Sequence, residues 1–334
     1  MNGKALEISL INWMNNMGKI AVWGLGKHAI NNILPALKES SQLELVGCYT
    51  RNREILKNTC NKYSIKSWFT ENEMLDDNDV DIIYLSTPPE LHFPQGVKIL
   101  ESKKHLWCEK PITNDLQLTK DLLRLANKQA LSVCEGFMYL YHPHFLTFSK
   151  LITDLKASEK ISSIKSTFFL PRLEKPGFRY NKELGGSCIY DVGVYPISLI
   201  SELFQDSEIT INHSNISEER SVDISGSANI TIDQSINCFL DWSYNSAYVN
   251  KVETLSETQN IQTNYIFSKK KNYEPIIHIS DANGNSKEVN IKAGNHFILM
   301  LESFTKCLNN GPERLAQEKR ILRIAELTSR IKNY

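Results

Sequence analysis

The sequence predicts an α/β protein whose N-terminal domain is a doubly wound parallel sheet and whose C-terminal domain is an α+β fold with an open, largely antiparallel sheet. Three observations support this fold class. Strand-like and helical segments alternate in the first part of the chain, a glycine-rich turn follows the first strand, and beyond about residue 141 strand-like segments succeed one another with few helices. With 334 residues the chain is long enough for two domains. We predict an N-terminal extension at residues 1–18 and domains at residues 19–140 and 141–334.

The first domain contains short apolar segments that end at turn residues, as expected for buried parallel strands. The predicted strands cover residues 20–23, 43–49, 80–86, 105–108 and 131–134. Apolar residues at helical spacing predict a helix around residues 30–37 and another at residues 115–129. Strands that alternate with helices in this way imply a parallel sheet.

The second domain has a different pattern, in which most segments are strand-like. The predicted strands cover residues 164–170, 209–213, 228–232, 237–242, 249–255 and 262–267, and helices return at 293–308 and 312–331. If the outer face of such an open sheet is apolar, it has to be covered. We therefore expect a homodimer or homotetramer built through that face.

The composition argues against several classes of protein. Thirty-eight basic residues balance thirty-eight acidic ones, whereas nucleic-acid-binding proteins usually carry a basic excess. The apolar runs are shorter than the roughly 20 residues needed to span a bilayer, so we expect no membrane partner. Seven scattered cysteines without a CxxC pair predict buried, reduced thiols in a cytoplasmic protein and no zinc site.

Residues 1–18 precede the first strand and include several apolar residues, but no basic region or cleavage site typical of a signal peptide. Two interpretations stay open. The segment is either a short amphipathic helix packed on the body or on a partner subunit, or an unstructured extension upstream of a true start at Met17.

The glycine-rich turn has the form GxGxx[G/A] and stands between a strand and a helix, as a phosphate-binding turn requires. Its residues are Gly24, Leu25, Gly26, Lys27, His28 and Ala29. Glycines let the backbone approach a pyrophosphate, and the helix N-terminus stabilises the anion. We predict that these six residues bind a dinucleotide in a Rossmann domain. The alternative is a plain tight turn.

The end of the second predicted strand indicates which dinucleotide is bound. An NAD site normally has Asp or Glu there, about 20 residues beyond the glycines. Here the chain reads Tyr49-Thr50-Arg51-Asn52, with no carboxylate. Thr50 and Arg51 suit the 2′-phosphate of NADP(H), which is therefore favoured over NAD(H). The alternative for Arg51 is a solvent-exposed loop residue.

Three residues form a candidate catalytic set. Lys110 lies in Glu109-Lys110-Pro111 at the end of a parallel strand, the side on which open α/β sheets bind ligands. Asp191 and Tyr195 are four residues apart and hence on one helix face, after the pair Gly185-Gly186. A tyrosine, with an ordinary pKa of about 10, needs an adjacent cation to exchange protons at neutral pH, and Lys110 would supply it. The alternatives are a surface loop and a structural Asp-Tyr pair.

Other residues are weaker candidates for contacts with the cofactor, the substrate or a metal. Residues predicted to contact the cofactor at strand ends are Thr87, Pro88, His92 and Glu109. Before the glycine pair, Arg172 and Tyr180, with Phe178 and Arg179 between them, are candidates for the substrate pocket or for loop packing. His142 and His144 flank Pro143, but no carboxylate or cysteine at ligand spacing accompanies them, so we predict a domain-junction loop and no metal.

Together these motifs resemble the glucose-fructose oxidoreductase / inositol dehydrogenase (Gfo/Idh/MocA) family over nearly the whole chain from Lys19. The matching segments are the glycine turn and residues 87–92, 104–111, 135–139 and 183–197. The resemblance implies an NAD(P)-binding Rossmann domain at 19–140 and a substrate-binding and oligomerisation domain at 141–334. It also implies dimers or tetramers and redox chemistry on sugars or related polyols.

Tyr195 makes the chain similar to the branch that contains glucose-fructose oxidoreductase, dimeric dihydrodiol dehydrogenases and sugar 3-ketoreductases. This resemblance implies that Lys110 and Tyr195 are the catalytic pair and that Asp191 binds or orients the substrate. The chain departs from the family pattern at Ser187, where a third glycine is usual, and at Leu140, where relatives often have arginine. Substrate contacts near the nicotinamide are therefore open.

We expect a cytoplasmic NADP(H)-dependent oxidoreductase that transfers hydride between nicotinamide and a carbinol or ketone of a sugar or keto-sugar, including nucleotide-linked ones. One rival is a non-catalytic sensor that binds NAD(P) and sugar on the same fold. A second is a glycosidase that retains its cofactor and oxidises the sugar transiently.

Overall fold

The computed structural model describes residues 17–174 and 177–334, so the two interpretations of residues 1–18 lie outside the described residues. Gly18, however, already belongs to the first strand. The described chain divides into two compact units, and each contains segments that are distant in sequence. The first unit consists of the described residues up to Ile112, together with Leu118–Gly136 and Phe297–Lys319. The second consists of Thr113–Gln117, Phe137–His296 and Arg320–Tyr334.

In the described part of the first unit, six strands form one parallel sheet. They are β1 (Gly18–Trp23), β2 (Leu43–Tyr49), β3 (Lys66–Ser67), β4 (Ile82–Leu85), β5 (His105–Cys108) and β6 (Val133–Glu135). Their order across the sheet is β3-β2-β1-β4-β5-β6, with every pair parallel. The order reverses between β1 and β4, and ligands of open α/β sheets bind beyond the carboxyl ends of the strands at such a switch point.

Continuous apolar runs form the central strands because both faces of the sheet are buried. β4 is buried at all four positions, and in β5 only His105 is partly exposed. The predicted bounds of β2 and β5 are confirmed, whereas β4 is shorter than predicted. β3 was not predicted, because its two residues are polar and exposed.

In the second unit, eight described strands form the other sheet. They are β7 (Ile161–Phe169), β8 (Ile209–Glu219), β9 (Val222–Ile232), β10 (Ile236–Ser243), β11 (Val249–Ser256), β12 (Gln259–Asn264), β13 (Ile276–Asp281) and β14 (Ser286–Asn290). Their order is β14-β13-β12-β11-β7-β10-β9-β8, and only the β7–β10 pair is parallel. The predicted fold class, with its largely antiparallel second sheet, is confirmed.

Helices follow most strands of the first sheet, and the second unit contains helices before and after its first strand and at its end. In the described ranges they are α1 (Leu34–Glu39), α2 (Arg53–Tyr63), α3 (Glu71–Leu75), α4 (His92–Glu101), α5 (Leu116–Gln129), α6 (Pro143–Ser158), α7 (Val194–Leu203), α8 (His296–Asn309) and α9 (Gly311–Lys332). Two π-helical turns, Ala29–Ile33 and Ile189–Gly193, lead directly into α1 and α7. None of the helices in these ranges combines the length and apolarity needed to cross a bilayer.

The predicted junction loop at His142–His144 is wrong, because these residues begin α6. The side chain of His142 accepts a hydrogen bond from the backbone nitrogen of His144 at 3.0 Å, and Pro143 occupies the first helical position. Proline suits that position because its missing N–H would have no partner there. Phe145, Phe148, Ile152 and Leu155 then form a buried face at helical spacing.

The division into units also differs from the predicted domain boundaries, because residues 297–319 belong to the first unit and not to the second. Aromatic side chains of α8 explain this. Phe304 packs edge-to-face against Trp107 of β5 at 5.4 Å between ring centroids, and Phe297 packs against His28 at 5.3 Å. Since aromatic burial is a large stabilising contribution, these contacts hold α8 on the parallel sheet.

Candidate active site

The glycine turn connects β1 to the first π-helical turn at the switch point of the sheet. Gly24 has φ +102°, and a Cβ there would lie 2.4 Å from the carbonyl oxygen of Ser86, which follows β4. Only glycine fits this position. At Gly26, in contrast, a Cβ would meet nothing within 4 Å, so the backbone faces open space.

The other turn residues fit a backbone-mediated phosphate site. The side chains of Leu25 and Ala29 are buried, while Lys27 is exposed. The backbone nitrogen of Ile30 donates to the carbonyl of Gly26 at 3.1 Å, so the helix begins directly after the glycines. Open backbone at a helix N-terminus is the arrangement that accepts a pyrophosphate. The six predicted residues therefore suit a dinucleotide.

His28 connects this turn to the residue before Lys110. Its Nε2 lies 2.8 Å from Oε1 of Glu109, and the hydroxyl of Tyr84 donates to the same oxygen at 2.6 Å. Burial opposes the charge of Glu109, but His28, Tyr84 and Lys110 more than offset it and lower the pKa of the carboxyl. Glu109, at the end of β5, is therefore a carboxylate held by Tyr84 of β4 and by His28 of the glycine turn. The spacing of these residues in the sequence did not indicate the two contacts.

Thr50 and Arg51 directly follow β2, as predicted. The side chain of Arg51 is exposed and that of Thr50 is half-buried. Asn52 then caps α2, because its side-chain oxygen accepts a hydrogen bond from Ile55 N at 3.0 Å. The two residues thus stand at the carboxyl end of β2, where the adenosine ribose of a dinucleotide is normally bound.

The predicted cofactor loop at Thr87, Pro88 and His92 is joined to the segment after Lys110. His92 is buried and lies with Nε2 at 2.9 Å from the Thr87 carbonyl and Nδ1 at 2.8 Å from the Pro111 carbonyl. Burial lowers the pKa of His92, and the two carbonyls oppose this shift. His92 therefore orients the two loops relative to each other.

Lys110 itself stands just beyond β5 and precedes a cis proline, Pro111. The backbone on both sides is held in place. Glu109 N donates to Leu85 O at 2.9 Å, and Ile112 N donates to Oε1 of Glu135 at 2.7 Å. The ends of β4 and β6 thus position the lysine at the carboxyl edge of the parallel sheet.

In the second unit, Asp191 and Tyr195 lie in one continuous helical segment. The predicted helix begins with a π-helical turn that contains Asp191, and Tyr195 is the second residue of α7. The glycine pair before it is required by close backbone contact. A Cβ on Gly186 would lie 2.5–2.7 Å from the carbonyl oxygens of Phe178, Arg179 and Asn181.

Tyr195 is buried in a group of aromatic side chains that fix its ring. Phe168 and Phe267 lie at 5.2 and 5.6 Å between ring centroids, and Phe137 and Tyr139 at 6.0 and 5.9 Å. The hydroxyl of Tyr195 lies 3.7 Å from the sulfur of Met138. Such packing restricts the ring to one orientation.

Asp191 is buried and held by two donors on one oxygen. Arg179 Nε donates to Oδ2 at 2.6 Å, and the Tyr244 hydroxyl donates to the same oxygen at 3.0 Å. Asp191 is the main cause of the raised pKa of Arg179. Burial, followed by Asp191, raises the pKa of Tyr244 well above its ordinary value. Of these two partners, the sequence had indicated Arg179 as a candidate for the substrate pocket, whereas Tyr244 had not been singled out.

Arg172 and Tyr180 were the two residues favoured for substrate contact, but the guanidinium of Arg172 already binds a carboxylate. Its Nη1 and Nη2 pair with both carboxylate oxygens of Glu219 at 3.0 and 2.8 Å, and its guanidinium lies over the ring of Tyr180. Tyr180 donates to the carbonyl of Tyr244 at 3.4 Å. Both residues therefore organise the loop before the glycine pair.

The structure thus assembles two sets of predicted residues. Lys110, Glu109, His28 and His92 are connected in the first unit, whereas Asp191 and Tyr195 are connected in the second. The pairing of Lys110 with Tyr195 stays a prediction. Within the described ranges, no group of three or more His, Cys, Asp or Glu side chains is arranged to hold a metal ion.

The first unit has a parallel sheet with a phosphate-binding turn at its switch point, and the second has a mostly antiparallel sheet and a helical segment that carries an Asp and a Tyr. This combination defines the class of NAD(P)-dependent two-domain oxidoreductases. The family model described as "Oxidoreductase family, NAD-binding Rossmann fold" matches residues 18–137, and the "GFO/IDH/MocA C-terminal domain" model matches residues 154–261. Together they cover more than half of the chain. The chain belongs to the Gfo/Idh/MocA oxidoreductase family, as the sequence motifs predicted.

Similar proteins include sugar reductases. The chain is 25% identical over 316 residues, 94% of each protein, to dTDP-3,4-didehydro-2,6-dideoxy-alpha-D-glucose 3-reductase of Actinomadura kijaniata. It is 24% identical over 166 residues, 49% of each protein, to trans-1,2-dihydrobenzene-1,2-diol dehydrogenase of Danio rerio. The crystal structure of the 3-ketoreductase KijD10 from Actinomadura kijaniata, in complex with NADP and TDP-benzene, superimposes with a TM-score of 0.89 at 25% identity and covers 95% of this chain and 98% of that one.

Proposed function

We propose that this protein is an NADP(H)-dependent reductase that acts on a keto group of a nucleotide-linked sugar. The observation that carries the proposal is the similarity to the 3-reductase over 94% of both chains, in a chain that has Lys110, Asp191 and Tyr195 at the motif positions. The predicted oxidoreductase function and the preference for NADP(H) agree with these relatives.

The choice of NADP(H) is supported by the end of β2, where the exposed Arg51 follows Thr50 without a carboxylate that would bind a ribose 2′-hydroxyl. A guanidinium pairs with a phosphate through two parallel hydrogen bonds. The glycine turn offers backbone nitrogens to the pyrophosphate, and Glu109 is held at the strand end beside it.

When bound, the nicotinamide cofactor supplies the hydride that reduces the ketone carbon. Tyr195 then gives its hydroxyl proton to the carbonyl oxygen, and Lys110 acts with it as the cation that polarises this oxygen. Asp191 orients the sugar hydroxyls beside the tyrosine. The rigid aromatic surroundings of Tyr195 favour this role, because a proton donor has to stand within hydrogen-bonding reach of the reacting oxygen.

The decisive experiment follows the absorbance of NADPH during incubation with a panel of keto-sugars, nucleotide-linked and unlinked. Tyr195→Phe should reduce turnover by about 10²–10⁴, the usual contribution of general acid catalysis, with nearly unchanged NADPH affinity. The matched control is Tyr190→Phe, which removes the hydroxyl of a neighbouring buried tyrosine in the same helical segment. Its turnover should stay close to that of the unaltered protein.

Three other outcomes would contradict the proposal or its mechanism. Tight binding of NADPH and a sugar without any turnover would favour the sensor, and release of sugar from a glycoside without net NADPH change would favour the cofactor-retaining glycosidase. Near-normal turnover of Tyr195→Phe would mean that another group gives the proton.

We also infer a homo-oligomer built through the outer face of the second sheet, in a cytoplasmic protein. This face carries a depression of about 570 Å³. It is lined by Ser163, Lys165, His213, Ser227, Ala228, Asn229, Phe239, Asp241, Glu253 and Leu255. Seven of these ten residues are polar, and Phe239 and Leu255 are the exposed large apolar side chains that a second copy would cover. The seven cysteines are buried thiols, which suits a reducing compartment.

A further inference from the structure

The guanidinium of Arg179 is only partly used by the contacts within the second unit. Its Nε donates to Asp191, and the side chain remains 31% exposed. Among the residues that the structure describes, neither Nη1 nor Nη2 has a hydrogen-bond acceptor from the protein. The end of the side chain thus offers two NH₂ groups in a fixed plane, a fork that matches two oxygen atoms of a phosphate.

The fork is held rigidly and close to the proposed proton donor. Asp191 fixes one edge of the guanidinium, and the Tyr244 hydroxyl fixes Asp191. Tyr195 lies one helical turn beyond Asp191 on the same face, so the guanidinium bound to Asp191 is near the tyrosine. Asp191, then Tyr244 and last Tyr195 raise the pKa of Arg179 against burial, which lowers it. The Asp191 carboxylate binds the Nε of Arg179 and not its Nη nitrogens. Its negative charge therefore compensates the guanidinium without occupying the Nη edge.

Arg172 provides a contrast on the same loop. Both of its terminal nitrogens are bound by Glu219, so its fork is occupied by a carboxylate. Of these two arginines, Arg179 is the one whose terminal nitrogens have no protein acceptor among the residues that the structure describes. In a nucleotide-linked sugar the anomeric phosphate is attached to the ring that carries the ketone, only a few bonds from the reacting carbon. A phosphate-binding group is therefore needed near the proton donor.

We propose that Arg179 determines specificity for nucleotide-linked sugars: its Nη nitrogens bind oxygen atoms of the diphosphate while its Nε holds Asp191. This inference rests on the proposed function for the identity of the substrate. It assigns a binding role to Arg179 in addition to the positioning of Asp191, and the two roles predict different responses to a substrate without phosphate.

The test measures binding of thymidine diphosphate, uridine diphosphate and thymidine to the NADP⁺-loaded protein by calorimetry. Arg179→Gln should weaken the best-bound diphosphate about 10- to 150-fold, the usual effect of losing charge-assisted hydrogen bonds, and leave thymidine unchanged. Arg179→Lys should recover part of the loss, because an ammonium restores the charge but not the planar fork. The matched control is Arg220→Gln, an exposed arginine at the β8–β9 turn, which should bind like the unaltered protein.

Kinetics separate the two roles of Arg179. For Arg179→Gln, kcat/KM should fall by a similar factor on a nucleotide-linked ketone but change much less on the same ketone without phosphate. Equal losses on both substrates would show that Arg179 only positions Asp191 and would overturn the inference. So would unchanged diphosphate affinity of Arg179→Gln, or a lack of diphosphate binding by the unaltered protein. Diphosphate binding that depends on Arg179, without reduction of any ketone, would instead refute the proposed function alone.

Discussion

We expect the stability of the second unit to depend on pH because of His144, a buried histidine in the first turn of α6. Thr263 donates its hydroxyl hydrogen to Ile276 O at 2.7 Å, so its oxygen has to accept from Nε2 of His144 at 2.7 Å. Nδ1 of His144 is buried and has no partner in the described ranges. His144 is therefore a neutral Nε2–H tautomer. Burial, followed by nearby Lys269 and His142, lowers its pKa to about 2.

The sign of the effect follows from proton linkage. In the unfolded chain a histidine has a pKa of about 6.5, so below that pH the unfolded chain binds a proton that the folded chain excludes. Folding stability is thus lost as the pH falls below about 6.5, until the folded pKa is reached. At about pH 5 the loss from His144 is about 2 kcal/mol, and it changes little with the folded pKa as long as that pKa is well below 5.

The measurement is urea unfolding followed by tryptophan fluorescence at about pH 7.5 and about pH 5. The variant His144→Gln keeps a donor toward Thr263 but cannot titrate, so its stability should fall by about 2 kcal/mol less between the two pH values. His278→Gln is the matched control, because His278 is a histidine of the same unit whose side chain is 44% exposed. An equal pH-dependent loss in His144→Gln and the unaltered protein would refute the assignment of a neutral, buried His144.

Three further predictions concern function and assembly. Arg51→Ala should weaken NADPH about 10- to 150-fold and leave NADH nearly unchanged, as measured by cofactor fluorescence; equal affinity of the unaltered protein for both cofactors would contradict the NADP(H) assignment. Lys110→Met should lose about as much turnover as Tyr195→Phe, and the double variant should be little worse than either, since the two act as one unit; additive losses would contradict the pairing. Phe239→Asp should dissociate the oligomer in light scattering, whereas Leu315→Asp, at an exposed position on α9, should not; a monomeric unaltered protein would exclude the interface.

The sequence predicted what depends on local pattern. Apolar runs and turn residues identify β2 and β5 because a strand buried on both faces is almost entirely apolar. The edge strand β14 was missed for the opposite reason, since four of its five residues are polar and exposed. The helix α6 was missed although its apolar spacing is visible in the sequence, because Pro143 was interpreted as a loop residue and not as the first residue of a helix.

Contacts between distant residues explain why the site was only partly predicted. The motifs identified Lys110, Asp191 and Tyr195, but nothing in the spacing indicates that Tyr244 would meet Asp191, 53 residues earlier. The same holds for His28 and Glu109, which approach only because β1 and β4 are neighbours and β5 lies beyond them. Such partners follow from strand order, which local pattern does not encode.

The interleaved path of the chain limits how this protein can be recombined with its relatives. Phe297–Lys319 belongs to the unit that begins with β1, so a single cut near residue 140 would separate Trp107 from Phe304. A chimera that joins the N-terminal half of one relative to the C-terminal half of another would therefore pair a parallel sheet with a foreign α8. Exchange of substrate preference is better attempted by transplanting residues 137–296. The chain leaves the first unit just before this segment and returns to it just after, so both junctions lie at boundaries between the units.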